Sequence, residues 1–334
     1  MKGFPVSEII VKSPTRVDLA GGTLDLWPLY SFLGKAQTIN VAIDVYSEAK
    51  LIPRMDQQIV IHSWDLNYKK VFSDLSDLLN SKDQELSFYK PILIFFNPIV
   101  GFELQTKSQS PVGGGLGGSS SLMISVLKAF HKLLNLPMCD SHEMVYLAHN
   151  LEAQMLMTPT GTQDYYPAYS GGFNLLTYTP QGIEQKVISV GRSPLKDNFL
   201  LVYTGRSHHS GINNFEVLKA AVNKDKVTLS ALHALNEVAI ETRACCEAGT
   251  WDEIPRLFNL EFKYRVQLTS AFSSPEILKL KEISLSNGAK AIKICGAGGG
   301  GCVLIWVAPQ ERNQVIKVCE KEGFSILNSA PVDL

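Results

Sequence analysis

The chain has 334 residues, of which 45% are hydrophobic and 19% charged, and its formal net charge is −1. Those values describe a soluble globular chain of one large domain or two ordinary ones, with no general electrostatic case for nucleic acid or an anionic membrane as partner. The most apolar run, Pro91 to Val100, is half the length a membrane span needs, and Met1-Lys2-Gly3-Phe4-Pro5 lacks the apolar core of a signal peptide. Cysteines without a CxxC spacing read as free thiols, so a cytoplasmic location is expected.

In chain order, Ile9 to Lys12 reads as a short strand ended by Ser13-Pro14. The stretch Arg16-Val17-Asp18-Leu19-Ala20-Gly21-Gly22-Thr23-Leu24-Asp25 sets a Gly-Gly pair between a buried-looking segment and a charged Asp25, so an irregular backbone presents polar residues there. Gln37 to Leu51 reads as a strand, and Asp56 to Val71 as a hairpin turning at Gln57-Gln58 or at Asp65-Leu66-Asn67. Val100 to Lys107 alternates with a period of two, as a half-buried strand does. Leu122, Val126, Phe130 and Leu133 recur at helical spacing until Pro137 forbids continuation. Asp140-Ser141-His142-Glu143 looks like a capping box for a helix running to about Met157. Gly161 to Asp164 is a polar turn, Tyr165 to Tyr169 opens another helix, and Phe173 to Tyr178 reads as a strand.

From Gly182 to Asn198 the pattern weakens, which divides the chain into domains 1–192 and 193–334. Phe199 to Tyr203 is then a strand, Lys226 to Ala248 a long helix ended by Gly249, and Pro275 to Ser286 a helix stopped by Gly288. Strands Lys290 to Cys295 and Cys302 to Val307 are joined by Gly296-Ala297-Gly298-Gly299-Gly300-Gly301, and a last helix, Gln310 to Glu322, precedes a short strand, Phe324 to Leu327. The order strand, helices, strand, strand, helix, strand points to a ferredoxin-like second domain.

The stretch that carries chemistry is Pro111-Val112-Gly113-Gly114-Gly115-Leu116-Gly117-Gly118-Ser119-Ser120-Ser121, between a strand and a helix. Glycines let backbone come close to a ligand, and the N–H groups of a helix start point at it, which suits a phosphate. The serine hydroxyls add donors or ligate a cation. Gly113, Gly115 and Gly118 formally satisfy the dinucleotide fingerprint, but the acid it wants about 20 residues on would be Asp140, which the capping box claims. A Walker loop needs a lysine where Ser119 stands. Neither common loop fits.

Three motifs in order make the chain resemble the GHMP small-molecule kinases: Ser13 to Asp25; Pro111 to Ser121, similar to the P-x3-G-L-G-S-S-A loop; and Lys293 to Cys302. Gly22-Thr23 stands where galactokinase has a Glu-His pair, and the R-x-D-x-A-G-G-x-x-D pattern is closer to the branch of heptose-phosphate kinases and fucokinases. Gly161-Thr162-Gln163-Asp164-Tyr165-Tyr166 and Gly171-Gly172-Phe173-Asn174 point the same way. One departure is Gly118, where relatives carry the first serine of a pair.

The resemblance implies an α+β, two-domain architecture: an N-terminal α/β domain (ribosomal protein S5 domain 2-like) and a ferredoxin-like C-terminal domain. It implies a sugar kinase using ATP and Mg²⁺. Pro111, Gly113, Gly114, Gly115, Leu116, Gly117, Gly118, Ser119 and Ser120 would cradle the ATP phosphates, and Ser119 with Glu152 would hold Mg²⁺. Asp164 would be the catalytic carboxylate and Arg16 its partner. Gly21, Gly22, Thr23, Asp25, Arg206 and Gly298 would meet the substrate, Asp25 through sugar hydroxyls and Arg206 through a sugar phosphate. From the bare residues alone, Glu152 reads first as a solvated helical glutamate, Asp164 as a turn cap, and His208-His209 as an exposed polar loop. The partner expected is a small-molecule sugar or sugar phosphate, either a heptose 7-phosphate or a hexose such as fucose, phosphorylated at C1 by a monomer or homodimer. Alternatives are another alcohol such as galactose or mevalonate, or a sensor that binds ATP and sugar without turnover.

Overall fold

In the computed structural model, which describes residues 7–207, 210–296 and 298–334, the strands divide into two sheets. The first contains β1 (Ile9–Ala20), β2 (Ala36–Pro53), β3 (Ile59–Ser63), β4 (Tyr68–Phe72), β5 (Phe102–Ser108), β6 (Phe173–Thr179) and β7 (Gly182–Ile188). Their order is β4-β3-β5-β2-β6-β7, with β1 also paired to β2. Helices α1 (Leu29–Phe32), α2 (Leu75–Asn80), α3 (Tyr89–Phe96), α4 (Gly118–Leu133), α5 (Ser141–Leu156) and α6 (Tyr165–Ser170) are interleaved with these strands. The remaining helices are α7 (Leu195–Asn198), α8 (Ser210–Val222), α9 (Lys226–Ala248), α10 (Ile254–Arg265), α11 (Pro275–Leu285) and α12 (Pro309–Lys321). The second sheet holds β8 (Phe199–Tyr203), β9 (Ala289–Ile294), β10 (Cys302–Val307) and β11 (Ser325–Leu327), antiparallel throughout in the order β11-β8-β10-β9. Numbered from its own first strand, that order is 4-1-3-2, the ferredoxin-like arrangement.

Local chemistry sets several boundaries. The Asp140 side chain accepts from the Glu143 N–H at 2.9 Å and Glu143 reciprocates, so α5 starts at a complete capping box. Asp225 caps α9 through the Thr228 N–H at 2.8 Å, and Gly249 in the left-handed region ends it. Helix α4 buries Met123, Ile124, Leu127 and Phe130 against β1 and β2, which places its first turn beside the end of β5.

Three features depart from the sequence reading. β1 does not stop at Ser13-Pro14 but runs on to Ala20; a register shift falls between Pro14 and Thr15, where a proline's missing N–H costs the ladder least. Gly182–Ile188, read as a weak stretch, is the edge strand β7, whose largely exposed residues need no apolar alternation. Residues 330–333 return to the first sheet, where the Val332 N–H donates to the Ala42 carbonyl, the Val332 carbonyl accepts from the Gly172 N–H, and the Ala330 carbonyl accepts from the Asp44 N–H. We therefore keep the division at 192/193 as a proposal that the tail crosses. No helix among the described residues is long and apolar enough to cross a membrane.

The sheets meet through a cluster of four charges, Asp18 on β1, Lys293 on β9, and Glu261 and Arg265 on α10, all with fully buried side chains. Lys293 Nζ lies 2.7 Å from Asp18 Oδ2 and 3.3 Å from Glu261 Oε1, and Arg265 Nε donates to Glu261. Burial pushes the Asp18 carboxyl up, but Lys293, Arg265 and Arg16 outweigh it and hold it at about 2. Removing one partner of such a group strands the others in a medium that solvates them poorly. Lys293→Met is therefore expected to lower the unfolding free energy by about 3–5 kcal/mol. Urea denaturation measures this; a loss below about 1 kcal/mol would place the cluster in the regime of exposed pairs.

Candidate active site

Strand β5 delivers the chain to the glycine-rich loop, and α4 begins directly after it. Gly117 caps that helix at φ +71°, and a Cβ there would lie 3.1 Å from Asp164 Oδ2, so the position favours glycine on both counts. A Cβ at Gly114 would lie 2.8 Å from the Pro111 carbonyl. Gly113, Gly115, Gly117, Gly118, Ser119 and Ser120 line one wall of a cleft of about 750 Å³. Pro111 and Gly114 also reach it. Leu116 does not; it is buried in the core, and its carbonyl accepts from the Arg16 N–H at 2.9 Å.

Arg16, on β1, joins this loop to the turn before α6. Its Nε donates to Asp164 Oδ1 at 2.7 Å, Nη2 lies 2.6 Å from the same oxygen, and Nη1 donates to the Gly115 carbonyl. Arg16 is buried, while the Asp164 side chain keeps 24% exposure toward the cleft it lines.

Ser119 Oγ donates to Glu152 Oε1 at 3.0 Å, which brings the two expected metal ligands together. Glu152 is buried rather than solvated; Thr160 and Tyr165 donate to its Oε2. Burial pushes its carboxyl up, and the hydroxyls of Tyr165 and Ser119 only partly oppose that. A buried carboxylate beside a hydroxyl, under glycine backbone, is a donor set that fits Mg²⁺ carrying phosphate. Tyr165 was not singled out from sequence, because a tyrosine opening a helix carries no mark of its partner.

Asp25 and Thr23 also line the cleft. Asp25 Oδ2 accepts from the Gln163 N–H at 3.1 Å and Oδ1 from its side-chain amide at 3.4 Å. Burial, then the charge of Asp164, pushes the Asp25 carboxyl up to about 6. Thr23 stands at φ +78°, a region that a β-branched residue enters at a cost of about 1–3 kcal/mol.

The other expected substrate contacts do not line the cleft. A Cβ on Gly21 would lie 2.0 Å from the Gln37 carbonyl, and one on Gly22 would lie 2.6 Å from Asp18 Oδ2, so both pack behind Thr23. Arg206 is 67% exposed and pairs with Glu276 at 2.9 Å. Gly298 packs on Phe272, leaving no room for a Cβ. From that second glycine run it is Gly296 that reaches the cleft, where a Cβ would lie 2.9 Å from Gly115 Cα. His208 and His209 lie outside the described residues. The cysteines are unpaired, and the Cys302 N–H donates to the Gly114 carbonyl. Asn214 and Phe215 of α8 line the cleft without any signal in the sequence that marked them.

Two family models match the chain, the GHMP kinases N-terminal domain over residues 86–172 and the GHMP kinases C-terminal domain over residues 242–324. A D-glycero-alpha-D-manno-heptose 7-phosphate kinase of Campylobacter jejuni is 29% identical over 94% of this chain and 94% of its own. An L-fucokinase/L-fucose-1-P guanylyltransferase of Bacteroides fragilis is 26% identical over 92% of this chain and 35% of its own. The structure of Lactococcus lactis galactokinase complexed with galactose superposes with a TM-score of 0.80 over 98% of this chain and 94% of that one; at 18% identity this shows likeness of fold.

The raised Asp25 carboxyl has a consequence for stability. Because its folded-state value of about 6 lies above an ordinary aspartate, the folded state binds the proton more tightly, and stability is lost as pH rises from about 4 through 6. The stability of Asp25→Asn relative to the parent chain should grow by about 2 kcal/mol between pH 4 and pH 8. Denaturation at the two pH values tests this, and an equal difference at both would mean that Asp25 titrates normally.

Proposed function

This chain belongs to the GHMP kinases, a family of phosphotransferases, and we propose that it passes the γ-phosphoryl group of ATP to the anomeric C1 hydroxyl of a sugar. The acceptor is a heptose 7-phosphate or a free hexose such as fucose, in line with the heptose-phosphate kinase and fucokinase relatives. The observation that carries the reading is the Arg16 bridge, one guanidinium bonded to both the Asp164 carboxylate and the phosphate-loop carbonyl of Gly115.

In this reading the N–H groups of Gly113 and of Gly115 to Ser120 bind the phosphates, the Gly114 N–H closes the turn on the Pro111 carbonyl, Leu116 anchors the loop, and the start of α4 supplies the positive end of a helix. Ser119 and Glu152 would hold Mg²⁺, which would offset phosphate charge and help orient the transferred group. Asp164 accepts a hydrogen bond from the attacking hydroxyl and takes its proton as the oxygen–phosphorus bond forms and the bond from the γ-phosphorus to the β–γ bridging oxygen breaks, ADP leaving with that electron pair. Arg16 fixes the direction of that carboxylate. Phosphoryl transfer depends more on alignment and charge neutralisation than on a strong base, so a carboxylate suffices. An anomeric hydroxyl, more acidic than an ordinary alcohol, suits it further. Asp25 and Thr23 meet the other sugar hydroxyls, while Gly21 and Gly22 support them from behind. Arg206, held by Glu276 outside the cleft, and Gly298, packed on Phe272, receive no substrate contact in this reading. Unpaired cysteines fit a reducing cytoplasm.

The reading is tested by an ATP-consumption screen over L-fucose, heptose 7-phosphate, galactose and mevalonate, followed by phosphorus NMR of the product. We expect phosphorus coupled to the anomeric proton; a product phosphorylated at C6 or on a non-sugar alcohol refutes the assignment. Asp164→Asn should lower turnover by about 10²- to 10⁴-fold with little change in the KM for ATP, the scale of a positioned acid–base group. A fall of less than about tenfold at saturating substrates would remove Asp164 from that role.

A further inference from the structure

Arg265 has no part in the chemistry above, yet its side chain is fully buried and its N–H groups are aimed at the acceptor wall. Nη2 donates to the Gly22 carbonyl at 3.0 Å and Nη1 reaches Thr23 Oγ1 at 3.4 Å. Its remaining face is held by Glu261 through Nε and lies over the Phe272 ring, so the fork has one orientation. Thr23 in turn donates to Asn214 Oδ1 at 3.3 Å. Arg265 and Asn214 come from α10 and α8, beyond the first sheet, whereas Thr23 follows β1. Thr23 and Asn214 both line the cleft that contains Asp25 and Asp164. A β-branched residue at φ +78° persists only where its surroundings over-determine it, and here Arg265 supplies that determination from below.

We propose that Arg265 is a positioning residue for acceptor recognition, clamping Gly22 and Thr23 so that Thr23 and Asn214 form one polar edge that reads two neighbouring, uncharged hydroxyls of the acceptor. The donor–acceptor inventory fits a vicinal diol. Thr23 Oγ1 keeps a lone pair after donating to Asn214 and accepting from Arg265, and the Asn214 amide keeps its N–H pair among the described residues. One acceptor hydroxyl donates to Thr23 and its neighbour accepts from Asn214. A phosphate or carboxylate at this edge would face the Thr23 lone pair, with the Asp25 carboxylate on the same cleft wall. The inference rests on the sugar-kinase reading and adds to it which residues read the acceptor and what chemistry that end of the acceptor carries.

The test is steady-state kinetics with L-fucose and with heptose 7-phosphate as acceptors, ATP being varied separately. Thr23→Gly, which relieves the backbone, and Asn214→Ala should each raise the acceptor KM about tenfold, the scale of one lost hydrogen bond to a desolvated group. Thr23→Ser keeps the hydroxyl and should raise the acceptor KM less than Thr23→Gly does. Arg265→Lys keeps the charge and loses the fork, so it should raise the acceptor KM about tenfold in the parent but less than about twofold in the Thr23→Gly background, with the KM for ATP unmoved in both. Equal effects of Arg265→Lys in the two backgrounds, or a matching rise in the KM for ATP, would show a merely structural arginine and overturn the proposal. Should Arg265→Lys fail to fold, Thr23→Gly and Asn214→Ala decide alone, and acceptor KM values near the parent's overturn it. A parent chain that consumes ATP with neither sugar rejects the kinase reading itself, an outcome distinct from active variants with an unchanged acceptor KM.

Discussion

The guanidinium of Arg16 donates to the Asp164 carboxylate and to the Gly115 carbonyl, while its own backbone N–H bonds the carbonyl of Leu116. A loop made largely of glycine has almost no side chains with which to pack, so its position must come from backbone bonds and from the one side chain inserted into the core, Leu116. Arg16 supplies the polar half of that anchorage and, with the same side chain, sets the distance between the phosphate loop and the turn that carries Asp164. Because β1 pairs with β2 on either side of Arg16, the first sheet serves as the ruler for the whole arrangement.

That ruler is continued into the second sheet by the buried charges. Asp18 follows Arg16 on the same strand, accepts from the Gly296 N–H at 3.1 Å, and binds Lys293 at the end of β9. Gly296 then abuts Gly115, and the Cys302 N–H donates to the Gly114 carbonyl. The phosphate loop is thus gripped from both sides by elements distant in sequence. Well-packed apolar residues would join two sheets at lower desolvation cost. What charges add is direction: Lys293, Glu261 and Arg265 each have few geometries that satisfy them.

How legible this was depended on whether an element announces itself locally. The bounds of α9 were readable because Asp225 and Gly249 sit at its two ends, and those of α5 because the capping box is written in consecutive residues. β1 was cut short because Pro14 looks like a stop, and only the pairing with β2 shows that it falls at a bulge. The return of residues 330–333 left no trace, since those contacts are made by backbone groups that every residue possesses. In the site, Ser119, Glu152, Asp164 and Arg16 were nominated through motifs and are brought together. Glu261 and Arg265, four apart on a helix, look in sequence like an ordinary surface pair, and nothing local reveals that both are buried. Arg206 shows the opposite limit: a loop cation looks free in sequence until Glu276, on a separate helix, is seen beside it.

The cleft concentrates carboxylates of different standing. Asp164 faces a guanidinium, Glu152 is ringed by the hydroxyls of Ser119, Thr160 and Tyr165, and Asp25 is met by the two N–H groups of Gln163. Asp164 is thus the carboxylate with a cation at contact distance. Burial raises the carboxyls of both Asp25 and Glu152, and each also feels the charge of Asp164, so a negative charge on either comes at a cost. Such a cost is relieved by whatever brings positive charge or hydrogen-bond donors into the cleft. For Glu152, beside Ser119 and under the glycine-rich loop, the relief in the proposed reading is a divalent cation. For Asp25, beside Thr23, in the same proposed reading it is the hydroxyl groups of a sugar. In the proposed reading each half of the cleft thus offers its buried carboxylate to a different kind of occupant.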